Sequence, residues 1–371
     1  MHLTEIPTFP PEARRGLPLA IFIALGVISG AIGAGLLLSF VPSLRRAEIP
    51  LGTQSVIVSS PGTVVVEEGT RISDIIKQGK AITAAVYNPK SVIHIGDKIF
   101  YPPTAAKGGA ISLTGDGWFA TVSDVPLSVG DIIYIQSEAH GIVKIVKDPA
   151  TPFVLLKVGE GNFSSARFTS ANDYKTGMTV IASTPAAEAV RMNVTNIDLR
   201  PDTKDGATRS SDTLSSIIGV TQTAQVMSGS PVFTLNGDVA GLTQLNGSSV
   251  VVLPGEVLRE LFDRVLRYGQ PNRAFLGMRY AVLVSDDEQT SQAVIYSSSG
   301  SPVVLGSPAA KAGFKSGDVI VSIDGKNASE SSDIFGIVSA HVPGDEISVK
   351  YSRGSQTFTK TVKLTSLSPG G

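Results

Sequence analysis

The feature that most constrains this 371-residue chain is an uncharged stretch near its N-terminus. No Asp, Glu, Lys or Arg occurs from Gly16 to Leu44, and residues 17–41 form the apolar centre of that stretch. At ~1.5 Å per helical residue, such a run is long enough to cross a hydrocarbon core of ~30 Å. A cleaved signal peptide usually has a shorter apolar segment, of ~7–15 residues, followed by small residues. The sequence therefore predicts an uncleaved transmembrane helix over residues 17–41.

The orientation of this predicted helix follows from chain length rather than from charge. Arginine pairs stand on both sides of the span, at residues 14–15 and 45–46, so the positive-inside rule favours neither orientation. Because residues 1–16 are so few, we expect them to be cytoplasmic and the large C-terminal part to be translocated. This predicts a single-pass cell-membrane protein whose bulk is extracytoplasmic.

Composition excludes several classes of function. Lys and Arg total 31 against 32 Asp and Glu, giving a net charge of -1, whereas nucleic-acid binders usually carry a basic excess. No nucleic-acid partner is therefore expected. The chain has no Cys, which excludes disulfides, thiol catalysis and cysteine-based metal sites. No metal or cofactor motif occurs, so we expect no cofactor. Only four His exist to serve any histidine-dependent mechanism.

Periodicity divides the remainder of the chain. Residues 42–61, rich in Pro and Gly, are interpreted as a linker, and residues 62–255 alternate apolar and polar residues in short runs typical of β-strands. Hairpins are predicted around Gly115–Gly117 and at Asn236-Gly237. Apolar residues at helical spacing predict a connecting helix over 256–269, ended by Gly269. A last domain, 270–365, has strands and one helix near Ser332–His341, and 366–371 form a tail.

Two motifs identify a known family. Residues 305–314, Leu-Gly-Ser-Pro-Ala-Ala-Lys-Ala-Gly-Phe, precede a Gly-Asp-Val-Ile strand start at 317–320, and together they resemble a bacterial HtrA-type PDZ domain. Residues 227–242, Met-Ser-Gly-Ser-Pro-Val followed by a hairpin, resemble the nucleophile region of HtrA serine proteases. The order of segments is similar to that of the membrane-anchored, DegS-like members. The resemblance implies a mainly β chain with an N-terminal transmembrane helix, a trypsin-like double β-barrel over 62–255 and a C-terminal PDZ domain.

The resemblance places the catalytic positions, and three of them depart from the family pattern. Ser228 aligns with the nucleophile, but the position of the general base holds Asp124 and the position of the orienting acid holds Pro152. Val226 replaces a glycine in the oxyanion turn. A trypsin-like site needs a base for the serine proton and a carboxylate to orient that base. We therefore expect a catalytically degenerate protease domain.

The residues at the PDZ positions match the family pattern more closely than those at the catalytic positions do. Residues 273–278 are similar to the family's carboxylate-binding loop and first groove strand. The resemblance implies that exposed peptide or protein C-termini add as a strand beside this loop. The predicted peptide-binding residues are Phe275, Leu276, Gly277 and Met278 of the loop and Ile334, Ile337 and Val338 of the helix.

Three functions remain open at this point. The first is a pseudo-protease that binds exposed C-termini or unfolded peptides in envelope protein quality control or stress sensing. The second is an active serine endopeptidase that uses Ser228 with a non-standard base. The third is a purely structural envelope protein, which an occluded PDZ groove would favour. The family resemblance also implies a possible homotrimer.

Overall fold

Short strands with alternating apolar and polar residues dominate the fold, as the sequence predicts. The structure is a computed structural model that describes residues 48–51, 54–57, 68–170, 173–185, 188–199, 208–214, 216–221, 224–247, 249–284, 291–328 and 333–367. Among these described residues no helix is long and apolar enough to cross a membrane, and the predicted span 17–41 lies outside them.

Part of the predicted linker is paired. Strands β1 (Glu48–Leu51) and β2 (Gln54–Ile57) form a two-stranded antiparallel hairpin within the stretch 42–61. Helix α1 (Glu68–Lys80) follows, in a region where the sequence suggested only strands. Its residue Ile75 is buried in the first barrel's core, so an apolar contact holds a helix whose sequence is otherwise largely polar.

The first barrel is a closed sheet of six antiparallel strands, in the spatial order β10-β7-β6-β3-β8-β9. The predicted hairpin at Gly115–Gly117 joins β6 to β7, and a short β4–β5 hairpin lies between β3 and β6. The barrel strands are β3 (Thr83–Tyr87), β6 (Ala106–Ser112), β7 (Trp118–Val122), β8 (Ile132–Ile135), β9 (Glu138–Lys147) and β10 (Phe153–Val158). The separate hairpin consists of β4 (Ile93–Ile95) and β5 (Lys98–Phe100).

The second barrel closes in the same way, in the order β11-β12-β14-β17-β16-β15. The predicted hairpin at Asn236-Gly237 joins β15 to β16. Its strands are β11 (Thr179–Ser183), β12 (Ala189–Leu199), β14 (Ile217–Val220), β15 (Pro231–Thr234), β16 (Val239–Asn246) and β17 (Ser249–Pro254). The segment between β12 and β14 also carries β13 (Thr208–Ser210), which pairs outside the barrel.

The connecting helix forms as predicted. Helix α2 (Gly255–Tyr268) ends at Gly269, whose φ of 73° is the left-handed conformation that glycine adopts without strain. Leu258 and Leu261 are fully buried in a core cluster that contains residues of both barrels, and the helix packs on β16 and β17 of the second barrel. Arg264, on the same helix, donates to the carbonyls of Ser339 and His341 in the C-terminal domain.

The C-terminal domain is an antiparallel sheet in the order β13-β19-β20-β21-β23-β24 with two short helices. Asp333 caps the last of these helices, accepting from Phe335 N–H at 3.2 Å. The elements are β18 (Ala274–Phe275), β19 (Arg279–Val284), β20 (Ser291–Ile295), α3 (Pro308–Ala312), β21 (Val319–Ile323), β22 (Lys326–Asn327), α4 (Ile334–Ser339), β23 (Glu346–Arg353), β24 (Gln356–Lys363) and β25 (Thr365–Ser366).

Candidate functional site

The turn that carries Ser228 is fixed by hydrogen bonds to β16. Thr243 Oγ1 donates to the carbonyl of Met227 at 2.6 Å and accepts from Ser230 N–H at 3.0 Å. Gly229 N–H donates to the carbonyl of Thr243 at 2.7 Å. With φ of 81°, Gly229 takes the left-handed conformation that places Ser228 at the tip of the turn. The backbone on both sides of Ser228 is therefore held by β16.

The first barrel contacts this turn through two successive glycines of β6, Gly108 and Gly109. Gly109 N–H on β6 donates to the carbonyl of Ser228 at 2.8 Å. A Cβ on Gly109 would lie 2.7 Å from Ser230 N, closer than real Cβ atoms approach backbone. A Cβ on Gly229 would overlap the carbonyl oxygen of Gly109 in the same way. The absence of side chains at both positions lets the two barrels meet at Ser228.

The catalytic positions predicted from the sequence meet at this junction. The Ser228 hydroxyl donates to the carboxylate of Asp124 and accepts from Leu245 N–H at 3.1 Å. Ser228 is 7% exposed, whereas Asp124 lies at the surface. The carbonyl of Pro152 accepts from Ser123 N–H at 2.7 Å, which places Pro152 beside Asp124 in the chain fold. The structure thus brings the side chains of Ser228 and Asp124 together and places the Pro152 carbonyl next to Asp124, and the catalytic roles of these positions stay a prediction.

Val226 has a structural part in this site. Its side chain is buried among the core residues of the second barrel, two residues before Ser228. A side chain held in that core fixes the segment leading into the turn.

The described histidines make their contacts elsewhere. His140 packs edge-on against Phe163 with ring centroids 4.8 Å apart, and His341 lies 3.1 Å from Asp324. His94 is exposed on the β4–β5 hairpin. Within the described residues, none of the three hydrogen-bonds to Ser228, so the only side chain that receives the Ser228 proton in a hydrogen bond is Asp124.

Asp148, four residues before Pro152, is committed to a different partner. It forms a paired hydrogen bond with Arg273, with Nη2–Oδ2 at 2.7 Å and Nε–Oδ1 at 3.1 Å. Both side chains are buried, at 0% and 1% exposure. Arg273 also contacts Glu260 on α2 at 3.2 Å. This cluster ties the first barrel, the connecting helix and the C-terminal domain together, and sequence reasoning did not find it because the pair is separated by 125 residues.

The backbone of the predicted carboxylate-binding loop turns at Gly277. Gly277 adopts φ of 84°, and a Cβ there would lie 2.3 Å from the Cβ of Ser307. The N–H groups of Leu276 and Gly277 therefore point the same way and can share one acceptor. Phe275 beside them is half-buried, while Leu276 and Met278 are buried in the domain core.

The predicted helix residues lie in the core of the same domain. All three are buried there, on one face of α4, and pack with the apolar residues of the sheet: Ile334, Ile337 and Val338. Their side chains line the domain interior, and a role in peptide binding stays a prediction.

The loop already holds a carboxylate, that of Asp212. Asp212 Oδ1 accepts from Leu276 N–H at 2.7 Å and Oδ2 from Gly277 N–H at 2.9 Å. Strand β13, just before it, pairs antiparallel with β19. Burial raises the pKa of Asp212 to about 6, although the hydrogen bonds from Leu276, Ser211 and Gly277 act in the opposite direction. Sequence reasoning missed Asp212 because a Ser-Ser-Asp loop carries no signal of its distant partner.

Comparisons with known proteins agree with this architecture. The PDZ domain family matches residues 275–364. A DegP-like periplasmic serine endoprotease of Chlamydia trachomatis is 29% identical over 148 residues, covering 38% of this chain and 30% of the relative. The serine protease Do-like HtrA of Bacillus subtilis is 26% identical over 280 residues, covering 69% of this chain and 61% of the relative. The chain thus spans about a third to three fifths of the length of these two relatives.

Solved structures show the same fold. The HtrA-type protease AlgW with a tripeptide superposes with a TM-score of 0.61 at 18% identity, covering 80% of this chain and 97% of that one. Two closed six-stranded barrels that meet at a serine turn, followed by a PDZ domain, define a trypsin-fold protein of the protease–PDZ class. Within that class, the chain is HtrA-like.

Proposed function

We propose that this protein is an extracytoplasmic, membrane-anchored HtrA-like pseudo-protease that binds exposed C-termini or unfolded peptides in envelope protein quality control or stress sensing. The observation that carries the proposal is the partner of Ser228, which is the carboxylate of Asp124 rather than an imidazole. Aspartate is a much weaker base than histidine, so it withdraws the serine proton poorly.

Two further features support inactivity. Pro152 offers no carboxylate to orient a base, and its backbone carbonyl accepts from Ser123 N–H, next to Asp124. Val226 stands in the segment where a glycine would leave the oxyanion donors free to adjust. Removing one member of a catalytic triad typically lowers kcat by several orders of magnitude, and further losses then add little. The three departures together predict no serine-type hydrolysis.

The location is part of the proposal. Relatives include a DegP-like periplasmic serine endoprotease, and the uncharged stretch 17–41 is long enough for a membrane anchor. Protease added to intact spheroplasts should digest the C-terminal part of the chain. Protection of that part until lysis would contradict the topology. The homotrimer implied by the family resemblance stays a prediction, which light scattering on the full chain would check.

The alternative function is an active serine endopeptidase in which Asp124 acts as a non-standard base. The hydrogen bond from the Ser228 hydroxyl to Asp124 is the observation that favours it, since a base must reach the proton that it removes.

A labelling experiment decides between these two functions. The full chain is treated with a fluorophosphonate probe and, separately, with unfolded casein, alongside Ser228→Ala and Ser230→Ala. Ser230 is a matched control because it lies two residues away and its buried hydroxyl has no hydrogen-bond partner among the described residues. We expect no labelling and no cleavage in any of the three. Activity that is lost in Ser228→Ala and kept in Ser230→Ala would establish the enzyme.

A further inference from the structure

Residues 208–212 pair with the edge of the PDZ sheet and reach the predicted carboxylate-binding loop. We propose that residues 208–212 are a built-in ligand of the domain's peptide groove, with the side-chain carboxylate of Asp212 in the place that a peptide's C-terminal carboxylate would take. The segment closes the groove to outside peptides until it is displaced. This inference rests on the proposed peptide-binding function, because it concerns the regulation of the same site.

The first support is strand addition. Strand β13 lies on the edge of the PDZ sheet beside β19, in antiparallel register, with Thr208 opposite Ala281 and Ser210 opposite Arg279. Ser211 N–H continues the ladder by donating to the carbonyl of Met278 at 2.9 Å. Peptides bind such domains by this same mode, in which an extended segment adds to an exposed sheet edge.

The second support is the carboxylate. The loop offers Asp212 the N–H groups of Leu276 and Gly277, and the Ser211 hydroxyl donates to Asp212 Oδ2 at 2.9 Å. Met278 N–H donates to the Ser211 oxygen at 3.0 Å, so the Ser-Asp pair takes up the donors of three successive loop residues. Asp212 is 6% exposed, which leaves no room for a second carboxylate in the loop.

The third support is that the segment is also held by hydrogen bonds to both barrels. Arg209 Nη2 bonds to Asp198 Oδ2 at 3.0 Å, and Ser216 Oγ donates to Asp198 Oδ1 at 2.5 Å. Leu214 N–H donates to the carbonyl of Ala150 at 2.8 Å, two residues before Pro152 of the first barrel. A peptide that displaced Asp212 would therefore pull on the segment next to the former catalytic positions.

A tethered ligand is effective even when its intrinsic affinity is low. A segment joined by short connections has an effective concentration of about millimolar. The apparent Kd of an outside peptide rises by the inverse of the fraction of molecules with an open groove. An open fraction of about one tenth would thus weaken binding about tenfold.

Peptide affinity tests the built-in ligand directly. Binding of a fluorescent peptide with a free C-terminal carboxylate and an apolar last residue is measured on the full chain, on Asp212→Ala and on Thr213→Ala. Thr213 is a matched control because it is the exposed neighbour of Asp212. We expect at least about tenfold tighter binding to Asp212→Ala, no change for Thr213→Ala, and no binding of the amidated peptide. Equal affinity for all three proteins would overturn the inference and leave the peptide-binding function standing.

A second measurement keeps the inference separate from the proposed function. Trypsin should cleave after Arg209 slowly in the wild type and in Thr213→Ala, and at least about tenfold faster in Asp212→Ala, because exposure of the bond requires undocking. Equal cleavage rates would overturn the docking whether or not any peptide binds. Slow cleavage in the wild type, fast cleavage in Asp212→Ala and no peptide binding to Asp212→Ala would retain the docking, refute the peptide-binding function and favour the purely structural protein.

A crosslink covers the case in which Asp212→Ala fails to fold. Ser210 and Arg279 are directly opposed across β13 and β19, and the chain has no other Cys, so Ser210→Cys with Arg279→Cys can form a single disulfide. The oxidised protein should not bind the peptide, and reduction should restore binding. Equal binding in both states would contradict the inference.

Discussion

The turn that carries Ser228 and the proposed peptide groove differ in which features they share with the family that the sequence resembles. At the turn, Gly109 lies against Gly229 and the Ser228 hydroxyl donates to Asp124, the residue that the resemblance places at the position of the base. At the groove, the chemical groups are kept, because Leu276 and Gly277 N–H still hold a carboxylate, but that carboxylate belongs to Asp212 of the same chain.

The difference shows which constraints act on each region. Packing between the two barrels requires the shape of the turn whatever reaction takes place there, since Gly109 and Gly229 leave no space for a Cβ. The side chain of Asp124 is exposed and carries no such packing requirement. The groove donors, in contrast, are buried N–H groups, and leaving a buried donor unpaired costs ~1–3 kcal/mol. They require an acceptor, and Asp212 supplies it.

The largest expected loss of unfolding free energy comes from removing the buried ion pair that links the first barrel to the C-terminal domain. Asp148→Ala leaves the guanidinium of Arg273 buried without its main partner, and breaking a buried pair in this way typically costs ~3–5 kcal/mol. The control is Asp238→Ala, which removes the surface pair with Arg167, worth ~0–1 kcal/mol. Urea unfolding of the three proteins measures both changes. Similar losses in the two variants would show that the Asp148–Arg273 pair does not hold the regions together.

A smaller loss of stability is expected from adding a side chain to the glycine that follows Ser228. Gly229→Ala places a Cβ on the carbonyl of Gly109 and forces Ala to φ of 81°, so we expect a loss of roughly 3 kcal/mol. Gly237→Ala has a φ of 87° but no close contact, so it should lose only about 1 kcal/mol. Thermal unfolding separates the two costs. If both variants unfold alike, the barrel contact does not constrain the turn.

The affinity of the groove for an outside peptide should change several-fold with pH. Burial raises the pKa of the docked Asp212 to about 6, whereas an undocked aspartate titrates near ~4. The docked state therefore binds the extra proton between these two values, and docking strengthens as pH falls through that window. Because the groups facing Asp212 are two N–H groups and a hydroxyl, burial sets the direction.

The measurement is the affinity of the peptide with a free carboxylate at pH 7.5 and at pH 5. Wild-type affinity should be several-fold weaker at pH 5, relative to Asp212→Ala over the same interval. The ratio to Asp212→Ala removes the titration of the peptide itself. A ratio that does not change with pH would show that Asp212 does not control access to the groove.

The smallest expected effect is that of restoring the base. Asp124→His returns an imidazole beside Ser228 but leaves Pro152 and Val226 in place, so the imidazole has no carboxylate to orient it. We expect casein cleavage to stay at background, and Ser228→Ala in the same background is the control. Cleavage by Asp124→His that disappears with Ser228→Ala would show that the turn retains its catalytic geometry and lacks only the base.

Local signals made much of this fold predictable. Asn236-Gly237 marked a hairpin, Gly269 marked the end of α2, and the motif at 305–320 marked the C-terminal domain. Helix α1 was missed because one buried contact of Ile75 supports a mostly polar sequence.

The candidate site was predictable only in part. Ser228 and Asp124 were paired by resemblance, and the structure brings them together. Asp212 and its loop partners are separated by 64 and 65 residues, and a polar loop does not indicate where in the fold it will be seated. Contacts of this kind depend on the assembled domains, not on local sequence.

The contact of Arg264 with the C-terminal domain has a consequence for the order of events on the ribosome. Helix α4 has six residues, and the carbonyls at its C-terminal end, Ser339 and His341, accept from an arginine that belongs to α2. The N-terminal barrels emerge and can fold first during synthesis. We therefore expect Arg264 to be in position before α4 is synthesised. The last turn of α4 would then form against a donor that the folded N-terminal part already supplies.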